Sequence, residues 1–131
     1  MEIDLPEAVA ELRAAFERYE RALVTNDVAA LDALFHRDAR TIRYGGGENL
    51  YGFDEIAAFR AARSLHGLAR ELSATVITTY GCDFGVASTL FRRAANPGKV
   101  GRQMQSWARL GGEWLIVAAH VSIIDEPETR S

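Results

Sequence analysis

A chain of 131 residues, 48% hydrophobic and 25% charged, has the size and composition of one globular domain and not of a disordered segment. Its formal net charge of −3 and isoelectric point near 5.6 argue against a nucleic-acid partner, because phosphate neutralisation needs a basic balance or stripe. No apolar run approaches the roughly eighteen residues of a membrane span, and Glu2 and Asp4 stand where a signal peptide carries positive charge, so a cytoplasmic protein without a membrane partner is expected. Cys82 is the single cysteine, which leaves no internal disulfide and no thiolate metal cluster within one chain. The basic residues are fourteen arginines and Lys99. Their planar forks suit carboxylates, although genome composition explains the bias as well.

Asp4-Leu5-Pro6-Glu7 reads as a helix start: a capping acid, then proline where its missing N–H is harmless, then an acid favoured by the dipole. Val9, Leu12, Phe16, Tyr19 and Leu23 recur at spacings of three and four, one face of a helix running to about Thr25. Glu11, Arg13, Glu17, Arg18, Glu20 and Arg21 read as its solvated sides. Asn26 tolerates the left-handed conformation that ends a helix, and Asp27 caps a second one over about Val28 to Phe35, burying Leu31, Leu34 and Phe35. A short strand at about Arg40 to Tyr44, a turn at Gly45-Gly46-Gly47 and a strand at Asn49 to Tyr51 follow. Alternation places Thr41 and Arg43 on one face and Ile42 and Tyr44 on the other.

Asp54 sits at or near the cap of a third helix running to about Arg63 and burying Ile56 and Phe59, followed by a loop at 64–67. The period then changes to two. Runs at Leu68 to Tyr80, Phe84 to Arg93, Lys99 to Arg109 and Glu113 to Ile124, separated by short turns, predict a four-stranded antiparallel meander. The last strand is apolar on both faces, which predicts a homodimer or higher homo-oligomer covering the outer side of the sheet. The fold class is α+β, with the helices on one face of a bent sheet over residues 1–126 and a tail at 127–131.

Tyr19 is an amphipathic residue on an apolar stripe, and a core tyrosine with a satisfied hydroxyl is the competing reading. Arg43 is either a carboxylate clamp or a solvated strand arginine. Glu48 reads as its ion-pair partner across the turn, and Asn49 lines the same opening. Gln103 and Gln105 alternate with Trp107 and suit the polar floor of a pocket, whereas Arg102 and Met104 take the other face; the alternation alone leaves open which parity faces inward. His120 and Ser122 share a face with Trp114 and Ile116 by simple alternation, so His120 is a candidate base or binding residue, weighed against a structural histidine. His36, His66 and His120 lack metal-ligand spacing with one another or with a carboxylate, so neither a metal site nor a cofactor is expected.

The motifs Phe16-Glu17-Arg18-Tyr19-Glu20, Asn26-Asp27-Val28, Thr41-Ile42-Arg43-Tyr44-Gly45, Gly47-Glu48-Asn49-Leu50-Tyr51-Gly52, Val76-Ile77-Thr78-Thr79-Tyr80-Gly81, Gly101-Arg102-Gln103 and Val117-Ala118-Ala119-His120-Val121-Ser122 carry a resemblance. The layout resembles the NTF2-like (cystatin-like) superfamily of nuclear transport factor 2 and ketosteroid isomerase. The motifs themselves resemble the small family that includes the oxalurate-catabolism protein and the 1,3-dicarboxyurea deaminase of cyanuric acid breakdown, over nearly the whole chain to about Ile124. The resemblance implies a cone-shaped fold and a metal-free hydrolase (amidohydrolase or deaminase) acting on a small anionic ureido carboxylate, with Tyr19 and Arg43 carrying the chemistry. Two other readings stand beside it. One is a proton-transfer enzyme of the ketosteroid-isomerase kind, which needs Asp83, Glu48 or His120 in the pocket with Arg43 turned outward. The other is a non-catalytic metabolite-binding or accessory module for a partner amidase.

Overall fold

The computed structural model describes residues 1–64 and 68–127. Most of the loop at 64–67, His66 with it, and nearly all of the 127–131 tail therefore lie outside the described residues. Three helices, α1 (Pro6–Val24), α2 (Val28–Leu34) and α3 (Phe53–Ala61), pack against a sheet of β1 (Ile42–Tyr44), β2 (Asn49–Tyr51), β3 (Glu71–Tyr80), β4 (Phe84–Arg92), β5 (Lys99–Leu110) and β6 (Glu113–Asp125). The strand order is β2-β1-β6-β5-β4-β3. The meander is as the turns required, and the β1/β2 hairpin joins the same sheet. β1 pairs parallel to β6 (Arg43 opposite Ala119), so one six-stranded sheet carries both.

Two helix starts depart from the expected capping. Leu5, not Asp4, is the N-cap of α1, and no side chain caps it. Asp4 has a positive φ of 60°, and its carboxylate accepts the Thr79 backbone N–H at 2.9 Å. α3 begins at Phe53 behind Gly52, whose φ of 88° is one that a Cβ disfavours. α2 is capped as read: Asp27 accepts the Ala30 N–H at 3.1 Å, and Asn26 takes the left-handed φ of 49°. In α3, Ile56 and Arg60 are buried whereas Phe59 is half-buried. Arg60 pairs with Asp32 of α2 and lies 4.7 Å over the Phe35 ring, a charged tie between α3 and α2 beside the apolar cluster that Phe53 and Ile56 share with Leu31 and Leu34.

The core lies between α1 and the concave side of the sheet, with Leu12, Phe16 and Leu23 facing Ile77, Ala87, Trp107 and Ile116. Two register shifts shape that concave side. In β3 one extra residue falls between Ser73 and Val76, at Ala74 with φ 51°. In β6, Trp107 pairs with Ile116 but Ser106 pairs with Ala118, so Val117 is the extra residue. A bulge of this kind exchanges inside for outside along the rest of the strand. Before it, Trp114 and Ile116 point inward and are buried; after it the inward residues are Ala119, Val121 and Ile123, while His120 is exposed.

Helix-on-sheet packing is tightest at Gly85. A Cβ there would collide with the Leu12 side chain and lie 2.9 Å from the Thr78 carbonyl oxygen. Gly85→Ala is expected to lower the unfolding free energy by about 1–3 kcal/mol, the usual cost of overpacking, measured by urea denaturation.

Candidate functional site

The first-helix stripe and the β1 face that carries Arg43 open onto the same space. Tyr19, Arg43, Glu48, Phe59, Arg63, Arg70, Phe91, Arg93, Gln103 and Val121 line a pocket of about 320 Å³ at the open end of the cone. Larger hollows of about 440 Å³ beside Glu11 and Trp114 and about 520 Å³ beside Arg37 and Tyr51 contain no buried polar atom without a partner. The 320 Å³ pocket does.

Its chemistry starts from β5. Gln103 and Gln105 are 2% and 1% exposed, which settles the inward parity: Arg102 and Met104 face out. Gln103 Oε1 accepts from Arg70 Nη2 at 3.1 Å. A guanidinium only donates, so the amide oxygen must face Arg70 and the NH₂ must face away. That Nε2 is buried and has no hydrogen-bond partner. Gln105 takes a different part. Its oxygen accepts the Trp107 indole N–H at 3.2 Å, and it is not on the pocket wall.

Arg70 is held from two sides. Its Nε and Nη2 meet the two Glu20 carboxylate oxygens at 2.9 and 2.5 Å, a parallel fork, and its guanidinium lies 4.5 Å from the Phe91 ring centre. Arg93 lies against the same ring at 4.6 Å. Phe91 can lie there because β5 has Gly101 beneath it, where any Cβ would collide with the ring. Arg63, just past α3, reaches Asn26 Oδ1 at 3.3 Å. The Nε of Arg63 and the Nε of Arg93 are both buried without a partner. Burial is the largest cause pushing both guanidiniums below their ordinary range. Arg70 adds to this next for Arg93. For Arg63, the nearby Tyr19 partly opposes the burial, and Arg60, Arg43 and Arg70 reinforce it.

At the other wall Arg43 Nη1 donates to Glu48 Oε1 at 2.9 Å, with both side chains partly buried, and the guanidinium lies 5.6 Å from the Phe59 ring centre. Tyr19 is 6% exposed and packs against Phe35 with ring centres 6.3 Å apart. Two other predicted residues lie elsewhere. Asn49 pairs with Tyr44 on the convex side and is exposed. His120 stands edge-on to Tyr44 at 5.9 Å on that same side, because the Val117 bulge turned it out. Asp83 is at the far turn, bonded to Arg109 at 2.9 Å. Arg63, Arg70 and Arg93 were not singled out by sequence. Each sits at the end of an element, where no periodicity marks direction. Among the described residues no group of three His, Cys, Asp or Glu is placed to hold a metal ion, and no helix is long and apolar enough to cross a membrane.

A family model described as AtzH-like matches residues 1–127. The chain belongs to this family. The AtzH-like chain is 55% identical to a protein with unknown function from Pectobacterium atrosepticum, with a TM-score of 0.91 over 94% of this chain and 95% of that one. It is 48% identical to a cystatin-like fold protein from Burkholderia xenovorans, with a TM-score of 0.93 over 97% and 99%. An NTF2-like protein of unknown function from Pseudomonas putida, 20% identical with a TM-score of 0.77 over 90% and 87%, shares the fold. No curated protein matches the chain. The architecture of this AtzH-like protein is therefore the NTF2-like, cystatin-like α+β fold expected from its motifs.

Removing the Glu20 carboxylate leaves Arg70 in a cluster already rich in positive charge. Glu20→Gln is expected to cost about 3 kcal/mol in a denaturant titration, the scale for breaking a mostly buried pair.

Proposed function

We propose that this pocket is the active site of a hydrolase that needs no metal and cleaves a C–N bond in a small ureido carboxylate, such as 1,3-dicarboxyurea or an oxalurate-like compound, in nitrogen-compound catabolism. One observation carries the reading: three buried N–H donors, Arg63 Nε, Arg93 Nε and Gln103 Nε2, line the pocket with no acceptor. Leaving a buried donor unmade costs about 1–3 kcal/mol, more when it is charged. A ligand with anionic oxygens removes that cost. Four arginines line the pocket against one lining carboxylate, Glu48, with Glu20 behind Arg70. The charge excess matches an anion and not a neutral metabolite.

The resemblance of the motifs around Tyr19 and Arg43 to a family of ureido hydrolases supplies the reaction class. In the reading proposed, the orphan donors fix the substrate carboxylate. Arg43, which spends only Nη1 on Glu48, turns its remaining donors to the ureido carbonyl. Tyr19 donates a hydrogen bond to the oxyanion that forms as water adds. The inward Arg43 speaks against the proton-transfer alternative.

Ammonia release from freshly made dicarboxyurea, oxalurate, allophanate and a ureido control tests this. Tyr19→Phe and Arg43→Ala are each expected to lower kcat/KM by about a hundred- to a thousandfold, the scale for a lost oxyanion donor, with folding intact by thermal melting. Thermal stabilisation by one compound with no turnover of any would instead support a binding or accessory module.

We also infer a homodimer through the convex sheet face. Val76, Ser88, Met104, His120 and Tyr44 form one row across five strands, and in it the apolar Met104 and Val76 are 57% and 55% exposed, side chains that a second copy would cover. Met104→Arg is expected to shift the species seen by sedimentation velocity from dimer to monomer.

A further inference from the structure

We propose that Glu48 is the general base that activates the attacking water; the proposal rests on the hydrolase reading above. A water molecule adding to a ureido carbon must lose a proton, and the acceptor must be on the pocket wall. Guanidinium and phenol groups carry their protons near neutral pH, and an amide is scarcely basic, whereas a carboxylate is free to accept. Glu48 is the one carboxylate among the described residues lining the pocket. His120, the other candidate by type, is on the far side of the sheet.

The Glu48 carboxylate is also a positioned group. Oε1 accepts from Arg43 Nη1 at 2.9 Å, and Oε2 accepts from the Gly47 backbone N–H at 3.2 Å. Its side chain folds back over the turn into the space above Gly45, where a Cβ would collide with Oε1. The same clearance admits the Arg43 guanidinium, so the absence of a side chain at Gly45 lets the pair lie together on the pocket wall. Each oxygen keeps a lone pair after these bonds, so one water can be bound between Glu48 and a carbonyl that Arg43 holds.

The water proton passes to Glu48 as the water oxygen bonds to the ureido carbon and the C=O electron pair moves onto oxygen, beside Tyr19 and Arg43. Collapse restores C=O and breaks C–N. The leaving nitrogen takes the proton from Glu48, which returns to a carboxylate, and the new carboxyl product releases its own proton to solvent.

The test is steady-state hydrolysis of dicarboxyurea and oxalurate across pH by the wild-type chain, Glu48→Gln and Gly45→Ala. Glu48→Gln is expected to lower kcat by about a hundred- to ten-thousandfold, to change KM by less than about threefold, and to abolish the fall in rate on the acid side of the pH profile. Gly45→Ala, which displaces the carboxylate but keeps it, is expected to lower kcat at least about tenfold, and it decides the matter if Glu48→Gln does not fold. A structural ion pair alone would move the melting temperature and leave the pH profile unchanged. Wild-type turnover with kcat kept in the folded variants overturns the role of Glu48 and leaves the hydrolase reading standing. No turnover by the wild type overturns both.

Discussion

The pocket depends on one extra residue in the last strand. Without Val117 out of register, the alternation that buries Trp114 and Ile116 would continue inward through Ala118, His120 and Ser122. With it, the inner wall at the open end of the cone is Ala119, Val121 and Ile123, small or aliphatic side chains that leave room for the arginines arriving from other elements. The bulge also brings Ala119 opposite Arg43 on the parallel partner strand, and a small neighbour there lets the guanidinium lean over the pocket. One strand thus serves two environments, an apolar floor under α1 and a polar mouth beyond it.

The mouth is organised by like charge held together. Arg70 is neutralised by Glu20 and Arg43 by Glu48, but Arg63 and Arg93 have an amide and an aromatic face as their main partners. Mutual repulsion and burial work against such an arrangement in the free protein. It stands because the elements bearing these residues are fixed by the core behind them. Preorganised donors of this kind do not have to be reoriented when an anion arrives, which is where an enclosed polar site gains over water.

Much of this was legible in the sequence. The stripe through Leu12, Phe16 and Tyr19 put the tyrosine on the core side of α1, and alternation in a strand read at about Arg40 to Tyr44 put Arg43 on the face away from Tyr44, both as observed, although the strand itself is shorter, Ile42–Tyr44. The Gln103 and Gln105 pair was visible as an unusual polar run, and the structure divides it: one amide faces the pocket and the other holds Trp107. His120 was misplaced because strict alternation was carried through a bulge that nothing in Val117-Ala118-Ala119 marks. Asn49 went to the convex side because its cross-strand neighbour is Tyr44, not Arg43. The arginines at 63, 70 and 93 were illegible for another reason. They follow or precede regular elements, so their directions come from tertiary packing, and only the fourteen-to-one excess of arginine over lysine hinted at them.

Asp4, absent from its expected helix cap, closes one end of the β3 edge of the sheet. The β3 edge is unpaired by any strand, yet at its end Ile3 bridges Tyr80, the Asp4 N–H reaches the Thr79 carbonyl at 2.9 Å, the Gly81 N–H reaches the Glu2 carbonyl at 2.7 Å, and the Asp4 side chain takes the Thr79 N–H. A side-chain carboxylate there stands in for the carbonyl that an added strand would offer. The residues Glu2 to Asp4 therefore act as a guard at the Thr79–Gly81 end of the edge, spending there the hydrogen-bonding groups through which one sheet could otherwise template its growth on another.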